Sequence, residues 1–351
     1  MTTNTDKNRR NFLRVAAGSA VASLSTGAVI AQSVDFKSSP RYPDPSIQVL
    51  DPSFNKYRIY SASVEQVATG FRWAEGPVWF GDGRYLLMSD IPNNRIVRYD
   101  DVTGQSTTFR SNAGYTNGLA RDRQGRLLAC EHLGRRITRT EYDGKLTVLA
   151  DSFEGKPLNS PNDMAVTKDG SIWFTDPPFG IGGNYVGEKA KAEQPHGVHR
   201  IDGASGKLTR VLDDLPFPNG VAFTADEKLV YLIGRSPQGA RLLVRYNVSP
   251  EGALNNRTIV FDAGLTGTLD GIKCDEDGNI WAGWGSTTNA PGALSADMDG
   301  VVVINPAGKM IGHIHLPERC ANLCFGGPKG NRLFMASCHS LYALHVETRG
   351  A

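Results

Sequence analysis

Short apolar runs bounded by turn residues recur six times along the chain: Gly83 to Asp90, Gly125 to Glu131, Gly170 to Asp176, Lys228 to Gly234, Gly278 to Trp284 and Asn331 to Ser337. Each is too short for a helix and predicts a strand. Their starts lie 42, 45, 58, 50 and 53 residues apart, and a repeat of roughly 40 to 50 residues built from short strands is the signature of a propeller blade. The expected fold is therefore all-β, a six-bladed β-propeller. The last blade runs from Asn322 to Val346 and stops one strand short, which would leave an unpaired edge. Ser63 to Ala68, an alternating segment ahead of the first blade, can supply that strand and close the ring.

A second apolar segment precedes each of these strands and opens on an acid or an amide. The six are Glu75 in Ala-Glu-Gly-Pro, Asn117 in Thr-Asn-Gly, Asn162 in Pro-Asn-Asp, Asn219 in Pro-Asn-Gly, Asp270 in Leu-Asp-Gly and Asn322 in Ala-Asn-Leu. Each stands where its blade's innermost strand would begin, so the six side chains are expected around one end of the central channel. Asn and Asp beside Gly are also ordinary turn formers; the shared register, and a Glu ahead of Gly-Pro, are what argue for a site. A ring of carboxylate and amide oxygens, without imidazole or thiolate, suits a hard divalent cation, with Ca2+ the first choice and Mg2+, Mn2+ or Zn2+ as alternatives.

The third blade carries an insertion between its second and third strands, residues 177–196, Gly-rich at first and then charged from Glu188 to Glu193. Such a loop is either a lid over the channel or a solvated excursion. Ser236 to Gly239 and Ser286 to Pro291 occupy comparable places in later blades and would help to wall a pocket. His132, just after the second strand of blade two, borders the same region and is a candidate substrate contact together with Asn117. His196 and His199 lie close to the insertion, whereas His313 and His315 alternate along the approach to blade six and read as structural.

Composition narrows the partners. The chain has 351 residues and a net charge of +2, with its basic residues scattered, so nothing points to nucleic acid. Near the start, Asn8-Arg9-Arg10-Asn11-Phe12-Leu13 precedes an uncharged, weakly apolar run ending in Val29-Ile30-Ala31. Paired arginines before Phe-Leu have the pattern of a twin-arginine export signal. The run is mostly Ala, Gly, Ser and Thr, too weakly apolar for a membrane anchor. The expectation is cleavage after Ala31 and a periplasmic or secreted protein with no membrane contact thereafter. Residues 32–58 read as an extended tether and residues 59–351 as the propeller. Five cysteines, Cys130, Cys274, Cys320, Cys324 and Cys338, leave at least one thiol free and read as buried apolar residues, with a disulfide permitted by the compartment.

Glu-Gly-Pro-Val-Trp at Glu75, Asn-Asp at Asn162, Pro-Asn-Gly at Asn219, Asp-Gly at Asp270 and Cys-Phe-Gly-Gly at Cys324, in that order, resemble the SMP-30/gluconolactonase/LRE-like family over residues 60–346. The resemblance implies a divalent cation bound by Glu75, Asn162, Asn219 and Asp270. It also implies that Asp163, beside the second ligand, faces the substrate and serves as general base. Ser160 stands where animal members carry Arg, so their sugar contacts do not transfer. Four ligands with two negative charges leave a cation open to a carbonyl oxygen, which suits Lewis-acid chemistry on an ester. The expected activity is hydrolysis of a sugar lactone, such as gluconolactone, to its aldonic acid. Hydrolysis of another ester or a phosphotriester, or ligand binding without catalysis around a structural calcium, are the alternatives.

The export reading predicts that replacing Arg9 and Arg10 with Lys traps uncleaved precursor in the cytoplasm. Normal appearance of the double variant in the periplasmic fraction would exclude twin-arginine transport.

Overall fold

The computed structural model describes residues 42–287 and 296–351. Among them the chain forms six antiparallel sheets arranged as propeller blades, strand order following the sequence within each apart from N-terminal strands added at the outer edges of blades five and six. The inner strands are Ala74–Phe80, Thr116–Arg121, Met164–Val166, Val221–Phe223, Gly267–Cys274 and Cys320–Gly326. Blade six takes its outermost strand from the other end of the chain: Glu65–Thr69 pairs with Ser340–His345, Glu65 opposite Ala343. The ring closes as expected. Arg332 fastens the closure, bonding Glu65 in the N-terminal strand at 2.7 Å and Asp101 in blade one.

Apolar side chains are sorted by the two-residue period of the strands. In blade one Leu86 and Met88 pack against blade six, while Leu87 and Ile96 pack against blade two. Six hydrophobic clusters result, and each lies between two neighbouring blades. Both faces of every second strand are thus buried, which explains why these strands read as nearly unbroken apolar runs. The clusters leave the channel to polar groups. The five cysteines are all free, and four are buried.

The expected tether differs from what is found. From residue 42 onward it is packed: Ile47–Val49 adds a fifth strand to blade five against Met310–His315, and Pro52–Tyr57 forms a helical turn. Asp51 caps this turn by accepting from the Ser53 backbone N–H at 2.9 Å. Phe54 and Tyr57 then bury their rings against Trp281, at centroid distances of 6.1 and 6.5 Å. A side chain at Gly312 would meet the Phe54 ring at 2.6 Å, so the turn docks only because that position is bare. Ser and Pro composition suggested a spacer, but two aromatic anchors override it. The leader at 1–31, the tether before residue 42 and most of the predicted wall at 286–291 lie outside the described residues.

Two outcomes follow from this packing. Phe54→Ala should cost about 3–5 kcal/mol by leaving a cavity between blades five and six, measurable by denaturant unfolding; a loss below about 1 kcal/mol would mean the turn is not part of the core. His199 lies between Phe174 and Phe153, at 5.2 and 5.4 Å, with neither ring nitrogen hydrogen-bonded. Burial, and then the nearby Arg210 charge, lower its pKa from 6.5 to about 3. The unfolded chain therefore takes a proton that the folded one refuses. Stability present above pH 6.5 is lost as pH falls toward 3, by up to about 1.4 kcal/mol per pH unit. Replacing His199 with Phe should flatten the acid side of the Tm-against-pH curve, and an unchanged slope there would assign the acid lability to other groups.

Candidate functional site

The inner strands of neighbouring blades converge at one end of the channel until their backbones touch. A side chain at Gly118 would meet the Asn162 carbonyl at 2.6 Å, and one at Gly220 would meet the Asp270 carbonyl at 2.5 Å. The residue before each of these glycines stands at the channel end of its inner strand. Asn117, Asn162, Asn219 and Asp270 share this register, and Glu75 joins them because a bulge takes up one extra residue and sets Gly76 against the Asn117 carbonyl. Blade six departs from it, because Leu323 pairs with Met335 as Met164 pairs with Phe174. Asn322 therefore corresponds to Asp163, one step further along the channel, and Ala321 takes the place in the ring. The ring has five polar members where the sequence pattern suggested six.

Asp163 and Asn322 stand where other blades have glycine, and they meet across the channel. The Asn322 amide Nδ2 donates to Asp163 Oδ2 at 3.3 Å and to Glu75 Oε2 at 3.0 Å, while its Oδ1 accepts from the Leu323 N–H at 2.8 Å. Glu75 Oε2 also accepts from the Gly76 N–H at 2.6 Å, and Asp163 Oδ1 from the Met164 N–H at 2.9 Å. Opposite, Asn219 Nδ2 donates to Asp270 Oδ1 at 2.7 Å, which turns the amide oxygen of Asn219 away from that bond. Glu75, Asn162, Asp163 and Asn219 are all buried.

Three carboxylates thus gather with no Lys or Arg in ion-pair contact among the described residues. Burial first, and then the charges of Asp270 and Asp163, push the Glu75 pKa well above the usual carboxylate range. Burial also raises that of Asp270, opposed by Arg319 and Arg241. Uncompensated buried charge is costly. A hard divalent cation would relieve it, and oxygen donors from Glu75, Asn162, Asn219 and Asp270 are of the type it takes. Among the described residues no group of three His, Cys, Asp or Glu side chains stands in ligating geometry, so such a cation would depend on the amide oxygens.

The insertion of blade three folds over the neighbouring blade and fixes His132. The Val186 carbonyl, which can only accept, lies 2.7 Å from His132 Nδ1. The proton is therefore on Nδ1, and Nε2 accepts from Asn117 Nδ2 at 3.4 Å. Burial lowers the His132 pKa to about 4, so the ring is neutral. Ser160 anchors the base of the same loop, accepting from the Gly180 N–H at 2.9 Å and donating to the Pro177 carbonyl at 2.6 Å. Asp176 holds the approach to Asn162, accepting the backbone N–H groups of Asn159 and Ser160 at 2.8 Å each. His196 accepts from the Phe217 N–H at 3.0 Å. His199 belongs to the core, and His313 faces Gln48 from the fourth strand of blade five.

Sequence reasoning missed three arginines at the mouth, Arg235, Arg241 and Arg319. A pair of Arg flanking the Ser236–Gly239 turn, at the blade end that carries the ring, was the available signal.

Comparison with known proteins agrees with this fold. The family model for the SMP-30/Gluconolactonase/LRE-like region matches residues 73–339. The chain is 29% identical to the gluconolactonase of Zymomonas mobilis, with 87% of each covered, and 28% identical to pentonolactonase XacC of Haloferax volcanii, with 77% and 83% covered. The solved gluconolactonase of Xanthomonas campestris superposes with a TM-score of 0.77 at 32% identity, covering 86% of this chain and 94% of that one. Regucalcin of Agrobacterium tumefaciens, described as calcium-binding, shares the fold with a TM-score of 0.65 at 19% identity, with 82% and 94% covered. With its six blades, its acid-and-amide ring and a match running from Trp73 to His339, the chain belongs to the SMP-30/gluconolactonase/LRE-like family.

Proposed function

We propose that this protein hydrolyses a sugar lactone to its hydroxy acid at the mouth of the channel, with a divalent cation, calcium first, held by Glu75, Asn162, Asn219 and Asp270. The observation that carries this reading is the set of three carboxylates without an ion-pair partner among the described residues, ringed by amide oxygens, in a chain related over most of its length to named lactonases. When bound, the cation would polarise the ester carbonyl and stabilise the charge that grows on its oxygen.

The chain's own residues then divide the work. Asp163 is the general base. Its carboxylate is oriented at both ends, Oδ1 by the Met164 N–H and Oδ2 by Asn322 from the opposite blade, so it waits at the channel axis to take a proton from the attacking water. The water oxygen joins the carbonyl carbon, the ring C–O bond breaks, and the ring oxygen leaves as a hydroxyl with the proton that Asp163 received. Asn117 and His132 contact the substrate: a neutral His132 keeps an acceptor at Nε2 without adding charge beside the carboxylates. The loop anchored by Ser160 limits water at this edge. Export through the twin-arginine leader, and hence activity outside the cytoplasm, belongs to the same proposal.

The two kinds of acid separate by experiment. Asp163→Asn should keep the metal and lose turnover by about 10²- to 10⁴-fold, the usual range for a general base. Glu75→Gln and Asp270→Asn should lose metal and turnover together. Elemental analysis beside a lactone assay reads both quantities. Near wild-type turnover of Asp163→Asn on every lactone accepted by the native protein would move the base elsewhere, and unchanged metal content in both ring variants would remove the site.

A further inference from the structure

We propose that the channel mouth carries a subsite for an anionic substituent, a carboxylate or phosphate remote from the scissile ester, formed by Arg235, Arg241 and Arg319. The inference rests on the lactonase reading and names its substrate class: a lactone that is already charged.

All three arginines stand at the blade end that carries the ring. Arg235 closes the second strand of blade four, two residues beyond Ile233, whose carbonyl accepts the Asn219 N–H. Arg241 opens the third strand and is the register partner of Arg235 across the tight turn. Arg319 directly precedes the inner strand of blade six, and its stem lies on blade five where a side chain at Gly285 would meet Arg319 Cγ at 2.4 Å. The arginines therefore flank Asp270 from both neighbouring blades.

Like charges directly opposite each other on a sheet are destabilising. None of the three has an acidic group within ion-pair distance among the described residues, and Arg235 Nε, Arg241 Nη1 and Arg319 Nε are buried without a hydrogen-bond partner. What sets them apart is the missing acid: Arg126 and Arg200 each bond two acids. Aromatic faces hold the free guanidinium groups in place. Arg235 lies 4.6 Å from the centroid of Phe217, Arg241 5.8 Å from Phe179, and Arg319 4.9 Å from Trp73. Phe179 and Phe217 stack at 6.0 Å, beside a depression of about 390 Å³ lined by both rings and Arg235. Phe217 adopts φ +49°, a strained setting for a bulky residue that persists where the surroundings enforce it.

Charge balance gives the direction. Three carboxylates and three guanidinium groups cancel, Asp299 beside Arg319 adds one negative charge, and His132 is neutral, so a divalent cation in the ring still leaves positive charge in excess. Burial lowers the Arg241 pKa to about 10, and Arg235 and Arg319 lower it further in the same sense while Asp270 opposes them, as expected for cations crowded around one acid. Unpaired, ring-held guanidinium forks are suited to bidentate capture of a carboxylate or phosphate.

The test compares neutral glucono-δ-lactone with glucarolactone, which adds a carboxylate, and 6-phosphogluconolactone, which adds a phosphate. Wild type, Arg235→Gln, Arg241→Gln and Arg319→Gln are assayed on each. The wild type should prefer at least one charged lactone, and each substitution should reduce the charged-to-neutral ratio of kcat/KM by roughly 10-fold or more, the scale of a lost charge-assisted hydrogen bond. Which charged lactone responds distinguishes carboxylate from phosphate. Equal losses on neutral and charged lactones overturn the subsite. Calorimetric binding of glucarate against gluconate to the unmodified protein, with no turnover involved, serves if a variant fails to fold. Preferential glucarate binding in a protein that hydrolyses no lactone keeps the subsite and removes the lactonase reading. Hydrolysis of gluconolactone without preference for any charged ligand does the reverse.

Discussion

Backbone contact between the inner strands is the constraint on which the site depends. Six sheets with both faces buried must pack side by side, and at the channel end the strands come so close that glycine is required at Gly118 and Gly220. With no room for side chains at that step, the residue before it is the first that can project over the channel. An acid-or-amide followed by glycine is thus a packing solution and a way of presenting oxygens in one motif. Where the glycine is replaced, at Asp163 and Asn322, the new side chain has only the channel to occupy.

Placing charges there has an electrostatic consequence. Glu75, Asp163 and Asp270 repel one another in a region from which burial has removed most water. Hydrogen bonds from Gly76, Met164, Asn219 and Asn322 hold the carboxylates in place but supply no positive charge. The mouth therefore holds a carboxylate cluster short of cation beside an arginine cluster short of anion. Each carries unmet demand that a cation and an anionic ligand would meet.

Much of this was legible in the chain. Period-two alternation and the roughly fifty-residue repeat revealed the blades, and the incomplete last blade pointed to the N-terminal strand that completes it. The ring residues were visible because a repeat aligns unlike residues at like positions. The same alignment misled at Asn322, since an Asn one place late looks in sequence like an Asn in register; only the pairing of Leu323 with Met335 distinguishes them. The packed turn at Pro52–Tyr57 was hidden because its partners, Trp281 and Gly312, are more than two hundred residues away. The arginines were missed for a related reason. Side chains that bear on one another from blades four and six leave no local signature, and only the absence of acidic partners marks them.

The closing strand has a consequence for how the protein is made. Gln66 donates to the hydroxyl of Ser340, 274 residues away, so blade six stays incomplete until almost the whole chain has been synthesised. Contacts of such long range form late and slowly. Glu75 and Asn322 come from blades one and six, the two that this closure joins, and their hydrogen bond cannot form in a nascent chain. The chemistry of the mouth is thereby tied to completion of the ring, and a truncated or stalled product would carry the residues of the site without the site itself.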